Sequence, residues 1–109
     1  MTTDAALLSA TELLAHYRRK TLSPVEATQA VLDRVERFDG AINAFCLVDE
    51  ERALAAAGES EARWQRGAPS GPIDGVPATI KDLVLTRGWP TLRGSRTIAR
   101  DQPFDDDAP

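Results

Sequence analysis

The stretch IDGVPATIKD, residues 73–82, decides how the rest of the chain is interpreted. Within this stretch an apolar run ends at Lys81. The segment 78–85 around that residue is the best candidate for a β-strand. Lysine is rarely buried, because its charged amine is well solvated in water. The chain contains only two lysines, Lys20 and Lys81, against eleven arginines. A lysine in such a chain suggests a role that arginine cannot fill.

Two interpretations of Lys81 are open from the local sequence. Arginine stays protonated in proteins, whereas burial lowers the pKa of a lysine from ~10.4 by up to ~3–5 units, so that it can act as a base near neutral pH. The alternative is a solvated lysine at the end of a strand, paired with Asp82. Most lysines are solvated, so the local sequence by itself favours the second interpretation.

Three helices are predicted before this stretch. Ser9–Glu12 (SATE) and Ser23–Glu26 (SPVE) have the form of a capping box, in which a serine and a glutamate satisfy backbone amides at a helix start. Asp49 is predicted to cap a third helix that ends at Gly67, and Gly40 is predicted to end the second. Apolar side chains recur at helical spacing in all three helices: Ala10, Leu13, Leu14 and Tyr17; Val25, Leu32, Val35 and Phe38; Leu54, Ala57 and Trp64.

The predicted fold class is α/β, with an incomplete sheet. Residues 1–67 are predicted to form a helical segment with a short extended stretch at 42–48 (INAFCLV). Residues 68–109 are predicted to form a loop, a strand and a second loop. A buried parallel sheet needs more strands than two. Leu, Ile, Val and Phe number only 24 of the 109 residues, near the ~20% below which packing becomes doubtful. We therefore expect the chain to complete its core against further polypeptide.

Other residues offer little chemistry. The only histidine, His16, is predicted to be a partly exposed helix residue, and Cys46 a small core side chain. One histidine and one cysteine make a zinc site improbable. The acidic run Asp105–Asp107 is expected to be solvated. Neither a metal nor an organic cofactor is predicted.

Composition also excludes several classes of function. A net charge of -4 argues against nucleic-acid binding. No apolar run approaches the ~18 residues of a membrane span, and the first residues do not resemble a secretory signal. A single cysteine fits a reducing compartment, so a cytoplasmic location is expected.

Residues 71–95, GPIDGVPATIKDLVLTRGWPTLRGS, resemble the N-terminal block of the amidase signature family. Ten positions match the family pattern in order and spacing: Gly71, Pro72, Gly75, Pro77, Lys81, Asp82, Gly88, Thr91, Gly94 and Ser95. The preceding helices and the segment ending in NAF are similar to the family's opening. The resemblance covers nearly the whole chain but only the front of the family's domain. It implies the first strands of a mixed sheet that is covered by helices.

The resemblance implies that Lys81 is the base of a Ser–cis-Ser–Lys triad. A bridging serine would pass a proton to Lys81, and a second serine would attack the amide carbonyl to form an acyl-enzyme. The serines of this chain, at positions 9, 23, 60, 70 and 95, match neither role. Both triad serines are therefore expected beyond residue 109, and the 109-residue chain alone is predicted to be inactive.

Supporting roles are implied for five further residues of the motif. Gly75 and Pro77 are expected to shape the loop that aims Lys81. Asp82 is expected to bond nearby backbone, and Gly94 and Ser95 to shape the following loop. The predicted function is hydrolysis of a linear carboxamide, with a small-molecule amide and the rest of the domain as partners and a homodimer left open. Two alternatives remain: the amidase subunit of a tRNA-dependent amidotransferase, and a non-catalytic helical interaction module.

Overall fold

The computed structural model describes residues 4–109, and its regular elements are all helical. A short 3₁₀ helix, Ala5–Leu7, precedes three α-helices: α1 (Ala10–Arg19), α2 (Pro24–Ile42) and α3 (Glu50–Gln65). The chain divides into two compact units, the first ending at Pro77 and the second comprising Ala78–Pro109. The helices all belong to the first unit. No helix within residues 4–109 is long and apolar enough to cross a membrane.

The predicted helix starts are confirmed. At α1, the Ser9 hydroxyl accepts from the Glu12 amide at 3.1 Å and the Glu12 carboxylate accepts from the Ser9 amide at 3.0 Å, which completes the capping box. Ser23 likewise accepts from the Glu26 amide at 3.1 Å. The Asp49 side chain caps α3 by accepting from the amide of the third helical residue at 3.1 Å. Local sequence therefore determines where each helix begins.

The third helix ends as predicted, at a glycine. Gly67 has a φ of +69°, a left-handed conformation that glycine adopts without steric penalty. Its amide donates to the Trp64 carbonyl at 3.0 Å, and the Ala68 amide donates to the Arg63 carbonyl at 2.9 Å. These two bonds form a Schellman motif, which satisfies carbonyls at the helix end.

The predicted end of α2 at Gly40 is wrong, because the helix continues through this residue to Ile42. The cap is Asn43, whose φ is +54° and whose residue type tolerates this left-handed conformation. The Asp39 carboxylate accepts from the Ala44 amide at 2.7 Å, just beyond the helix. A polar cap therefore ends α2 three residues later than the glycine suggested.

The core of the first unit lies where the three helices meet. Its buried side chains come from each helix, and partly buried leucines pack against them: Leu13, Tyr17, Ala27 and Trp64, with Leu8, Leu14 and Leu22. The rings of Tyr17 and Trp64 lie 5.8 Å apart at an interplanar angle of 52°, close to the tilted arrangement that aromatic pairs favour. The predicted apolar faces of α1 and α3 are confirmed at four buried residues, Leu13, Tyr17, Ala57 and Trp64, whereas Ala10 is exposed. Phe38 of the predicted α2 stripe is 41% exposed.

Neither predicted strand forms within residues 4–109. The stretch 42–48 begins as the last residue of α2 and continues as irregular chain, and 78–85 contains a turn after Lys81. A strand is stabilised by a ladder of backbone hydrogen bonds to a neighbouring strand, and no such ladder forms along either stretch within residues 4–109. Cys46, predicted to be a core side chain, is exposed for the same reason: the stretch that carries it packs against no partner strand.

Candidate functional site

Lys81, the predicted base, is exposed in this structure. Its carbonyl accepts hydrogen bonds from the amides of Leu83 and Val84, at 2.7 and 3.0 Å. The backbone therefore turns directly after Lys81 instead of continuing as a strand. The base role of Lys81 stays a prediction.

Asp82, the next residue, is anchored to a loop ten residues further along the chain. Its carboxylate accepts from the amides of Leu92, at 2.9 Å, and Gly94, at 3.1 Å. These backbone donors hold the pKa of Asp82 below its ordinary value, with smaller contributions from the Arg93 amide and the charge of Arg100. The second half of the sequence motif therefore binds the first half through Asp82.

The loop that binds Asp82 is a tight turn. The Ser95 amide donates to the Leu92 carbonyl at 2.8 Å, which closes the turn over Arg93 and Gly94. Both central residues have positive φ, +53° and +67° respectively, the combination found in type I′ turns. Glycine suits the second central position, while Arg93 adopts an unfavourable conformation there. Successive amides of such a turn point the same way and form a small cradle for an anion.

The serine of the motif supports the same loop. The Ser95 hydroxyl lies 2.7 Å from the Thr97 hydroxyl and accepts from the Thr97 amide at 3.1 Å. Leu92 and Thr91, at the start of the turn, are buried. Thr91 also donates to the Val84 carbonyl at 3.4 Å. A direct role of Ser95 in catalysis stays a prediction, as does the loop-shaping role of Gly94.

The first unit contains a buried carboxylate that the sequence analysis did not single out. Asp74, with a side chain only 3% exposed, accepts five hydrogen bonds. Two come from the Arg63 guanidinium at 2.7 Å, one from the Ser60 hydroxyl at 2.7 Å, and two from the amide and hydroxyl of Ser70. The Arg63 pair, followed by Ser70 and Ser60, holds the pKa of Asp74 well below its ordinary value.

The core aromatic pair holds the backbone at the same place. The Trp64 indole donates to the Asp74 carbonyl at 2.9 Å, and the Tyr17 hydroxyl donates to the Gly75 carbonyl at 2.8 Å. Burial raises the pKa of Tyr17 to about 12, so the hydroxyl remains a donor at neutral pH. A buried Tyr or Trp normally finds an acceptor for its polar atom. The need of Tyr17 and Trp64 for acceptors is the signal from which the sequence could have predicted that a loop packs against these two rings.

We define the Asp74 clamp as Asp74 together with Ser60, Arg63, Ser70, Trp64 and Tyr17. It joins α1, α3 and the loop 70–75 of the first unit. Gly75, a predicted supporting residue, lies inside the clamp with a φ of +87°. Pro77 is the last residue of this unit. Whether Gly75 and Pro77 also aim Lys81 stays a prediction.

Replacing Gly75 with alanine should lower the free energy of unfolding by about 2–5 kcal/mol. The new Cβ would lie 2.6 Å from the Ser60 hydroxyl oxygen and 2.8 Å from a ring carbon of Pro24. Overpacking of this kind costs about 1–3 kcal/mol, and the positive φ adds about 1–2 kcal/mol. Ser60 cannot yield freely, because it is bonded to Asp74. Urea unfolding followed by circular dichroism measures the change.

Gly58→Ala is the matched control for Gly75→Ala. Gly58 lies inside α3, and nothing lies within 4 Å of the position that an alanine Cβ would take there. Alanine should therefore stabilise the helix by about 0.5–1 kcal/mol. Equal stability of the Gly75 and Gly58 variants would contradict the tight packing of the clamp.

The remaining sequence candidates do not form a site. His16 is half-buried on α1, as predicted, with its Nδ1 atom 2.7 Å from the Thr21 hydroxyl. The acidic run Asp105–Asp107 is exposed, as expected, although its Asp107 carboxylate accepts from the Arg87 amide at 2.7 Å. No group of three or more His, Cys, Asp or Glu side chains within residues 4–109 is arranged to hold a metal ion.

Comparison with known proteins places this motif in a family. The family described as Amidase matches residues 26–108, a range that includes the Lys81–Asp82 pair and the turn that binds it. The chain belongs to the amidase signature family. The predicted family is thereby confirmed.

Several curated members of the amidase signature family are similar to the chain. A glutamyl-tRNA(Gln) amidotransferase subunit from Salinispora arenicola is 46% identical over 101 residues, which cover 93% of this chain and 21% of the relative. The proteins of the same name from Myxococcus xanthus and Streptomyces coelicolor are 44% and 39% identical, covering 88% and 87% of this chain and 19% of each relative. The chain thus spans about a fifth of the length of these relatives. No solved structure gives a significant match.

Proposed function

We propose that this chain is the front part of an amidase that hydrolyses the C–N bond of a carboxamide, with Lys81 as the base. Membership of the amidase signature family supports the reaction class. The observation that carries the proposal is the hydrogen-bonded link between Asp82 and the Leu92–Ser95 turn, because it joins the two halves of the motif around Lys81 in one compact unit.

In the proposed mechanism, the neutral amine of Lys81 accepts a proton from a bridging serine. That serine accepts the proton of a second serine, whose oxygen attacks the carbonyl carbon of the amide. The tetrahedral oxyanion is stabilised by backbone amides, the C–N bond breaks, and the leaving nitrogen takes up a proton. Water then attacks the acyl-enzyme and releases the carboxylic acid. Both serines lie outside residues 1–109 in this proposal, and the reaction needs no metal or organic cofactor.

The proposed sheet forms when the two extended stretches find partner strands in the rest of the domain. Large apolar side chains on both stretches support this proposal, because they are exposed here and lie close together along the chain, as residues of an uncovered contact surface do. They are Leu47, Val48, Ile80, Leu83 and Val84. The stretches at 42–48 and 78–85 would then become strands. Burial of the second stretch would also desolvate Lys81, which the base role requires.

The proposed substrate is a small linear carboxamide, and the proposed location is the cytoplasm. The rest of the amidase domain is the first partner, with a homodimer as a further proposal. The net charge of -4 supports a partner other than nucleic acid.

A second candidate function is favoured by the names of the relatives. Each of the three relatives described above is a subunit of a glutamyl-tRNA(Gln) amidotransferase. We propose, as the alternative, that the complete polypeptide is the amidase subunit of such an enzyme, in which glutamine is hydrolysed and ammonia passes to a partner protein. The chemistry at Lys81 is the same in both proposals, and the substrate and the need for partners differ.

Ammonia release by the full-length polypeptide tests both proposals. We expect an independent amidase to release ammonia from a simple carboxamide such as propionamide without partners. An amidotransferase subunit should instead release ammonia from glutamine, and only with its partner subunits present. Added hydroxylamine should trap the acyl-enzyme as a hydroxamate in either case. Absence of ammonia and hydroxamate with both substrates, with and without partners, would refute both proposals and favour the non-catalytic helical module.

A further inference from the structure

The Asp82 carboxylate is bound by backbone donors and does not pair with its neighbour Lys81. Asp82 accepts from the Leu92 and Gly94 amides at 2.9 and 3.1 Å, while Lys81 is exposed. Within the part of the chain that the structure describes, no ion pair joins the two side chains. This arrangement excludes the simple interpretation of the sequence, in which Lys81 is paired with Asp82.

The turn that receives Asp82 is built for an anion. Arg93 and Gly94 both have positive φ, so that the amides from Leu92 to Gly94 converge on one side of the turn. A non-glycine residue adopts this conformation at an energetic cost, and the amide hydrogen bonds to the two oxygens of a charged carboxylate offset it. Asp82 is thus an anion held by main-chain groups.

We propose that Asp82 is a positioning residue for Lys81, and that the amides of the Leu92–Ser95 turn hold the Asp82 carboxylate in place. This inference rests on the proposed function of Lys81. Residues 81 and 82 share one peptide bond, so anchoring the side chain of Asp82 fixes the backbone from which the Lys81 amine extends. The amides of the turn occupy the Asp82 carboxylate, so it does not draw the Lys81 amine into an ion pair. Together these effects favour an oriented base that is available to the bridging serine.

The proposal explains why the two halves of the motif occur together. Lys81–Asp82 supplies the base and the anchor, and residues 91–95 supply the amides that hold the anchor. Gly94 provides one of these amides and the positive φ that aims it. The charge of Arg100 also lowers the pKa of Asp82, but by less than the amides do. The groups that hold the Asp82 carboxylate are therefore chiefly backbone amides.

Steady-state kinetics test this inference in the full-length Asp82→Ala variant. The substrate is propionamide or glutamine, whichever the wild-type polypeptide hydrolyses. A base displaced by about 1 Å loses roughly 100-fold in rate. We expect kcat to fall by about 10–100-fold while KM stays nearly constant. Asp82→Glu, which keeps the carboxylate, should recover part of the loss.

Three controls separate the outcomes of this experiment. Asp101→Asn removes an exposed carboxylate of the same unit and should leave kcat and KM unchanged. Amide hydrogen exchange in the full-length polypeptide should show faster exchange at Leu92 and Gly94 in Asp82→Ala, independently of activity. An unchanged kcat in Asp82→Ala, with Lys81→Ala inactive, overturns the positioning role alone. Full activity of Lys81→Ala overturns the proposed function, and this inference with it.

Discussion

Replacing Lys81 with alanine in the full-length polypeptide should reduce kcat for amide hydrolysis at least ~100-fold. General-base catalysis by a positioned side chain contributes ~10²–10⁴-fold to the rate, and alanine can accept no proton. The loss should appear in kcat rather than KM, because the base acts on the serine hydroxyl and not on the bound substrate. Ammonia release from propionamide or glutamine, together with circular dichroism to verify folding, measures the effect.

Two further lysine variants make the Lys81 test specific. Lys81→Arg should be equally inactive, since arginine keeps the positive charge but cannot act as a base. Lys20→Ala removes the other lysine, whose amine donates to the Gln65 carbonyl at 3.4 Å in the first unit, and should retain full kcat. Turnover by Lys81→Ala at the wild-type rate would exclude Lys81 as the base.

Replacing Asp74 with alanine should lower the free energy of unfolding by about 3–5 kcal/mol. Hydrogen bonds to a charged group contribute ~1.5–3 kcal/mol each. The change would leave Arg63, the Ser60 hydroxyl and both Ser70 donors without their acceptor. The Ser60 hydroxyl is buried and so also carries the desolvation penalty of a donor without a partner. Urea unfolding of the full-length polypeptide measures the loss.

The pH dependence of stability provides a second test of Asp74. Its pKa in the folded chain lies below the ordinary value of 3.8, so its stabilisation is fully present above that value. The stabilisation is lost as the pH falls further, toward the folded-state pKa. Asp74→Ala should lack this part of the acid sensitivity. Asp33→Ala, which removes an exposed carboxylate of α2, should cost less than ~0.5 kcal/mol. Equal losses in both variants would contradict the clamp.

Helix positions were largely predictable because the signals are local. A serine followed by a glutamate three residues later is sufficient to predict the start of α1. In the same way, Gly67 is sufficient to predict the end of α3. The end of α2 was mispredicted because two local signals compete. Gly40 can occupy a helix interior at a modest energetic cost, whereas Asn43 and Asp39 together satisfy the helix end with hydrogen bonds.

The strands and the Asp74 clamp were not predictable in the same way. β-branched residues at 42–48 and 78–85 suit a strand, but a strand also needs a partner that residues 4–109 do not supply. Asp74 stands in a loop rich in glycine and proline, where an aspartate is most often a turn residue. Only the folded chain brings Arg63 and Ser60 of α3 to this carboxylate.

The amino-acid sequence by itself determined the three helices, the motif around Lys81 and the family to which the chain belongs. These properties follow from hydrogen bonds and spacings among residues that are close along the chain. The tertiary structure decided the anchoring of Asp82 by the Leu92–Ser95 turn and the burial of Asp74 against α3. Both depend on carboxylates meeting donors 10 to 14 residues away along the chain, and backbone folding determines which donors are within reach.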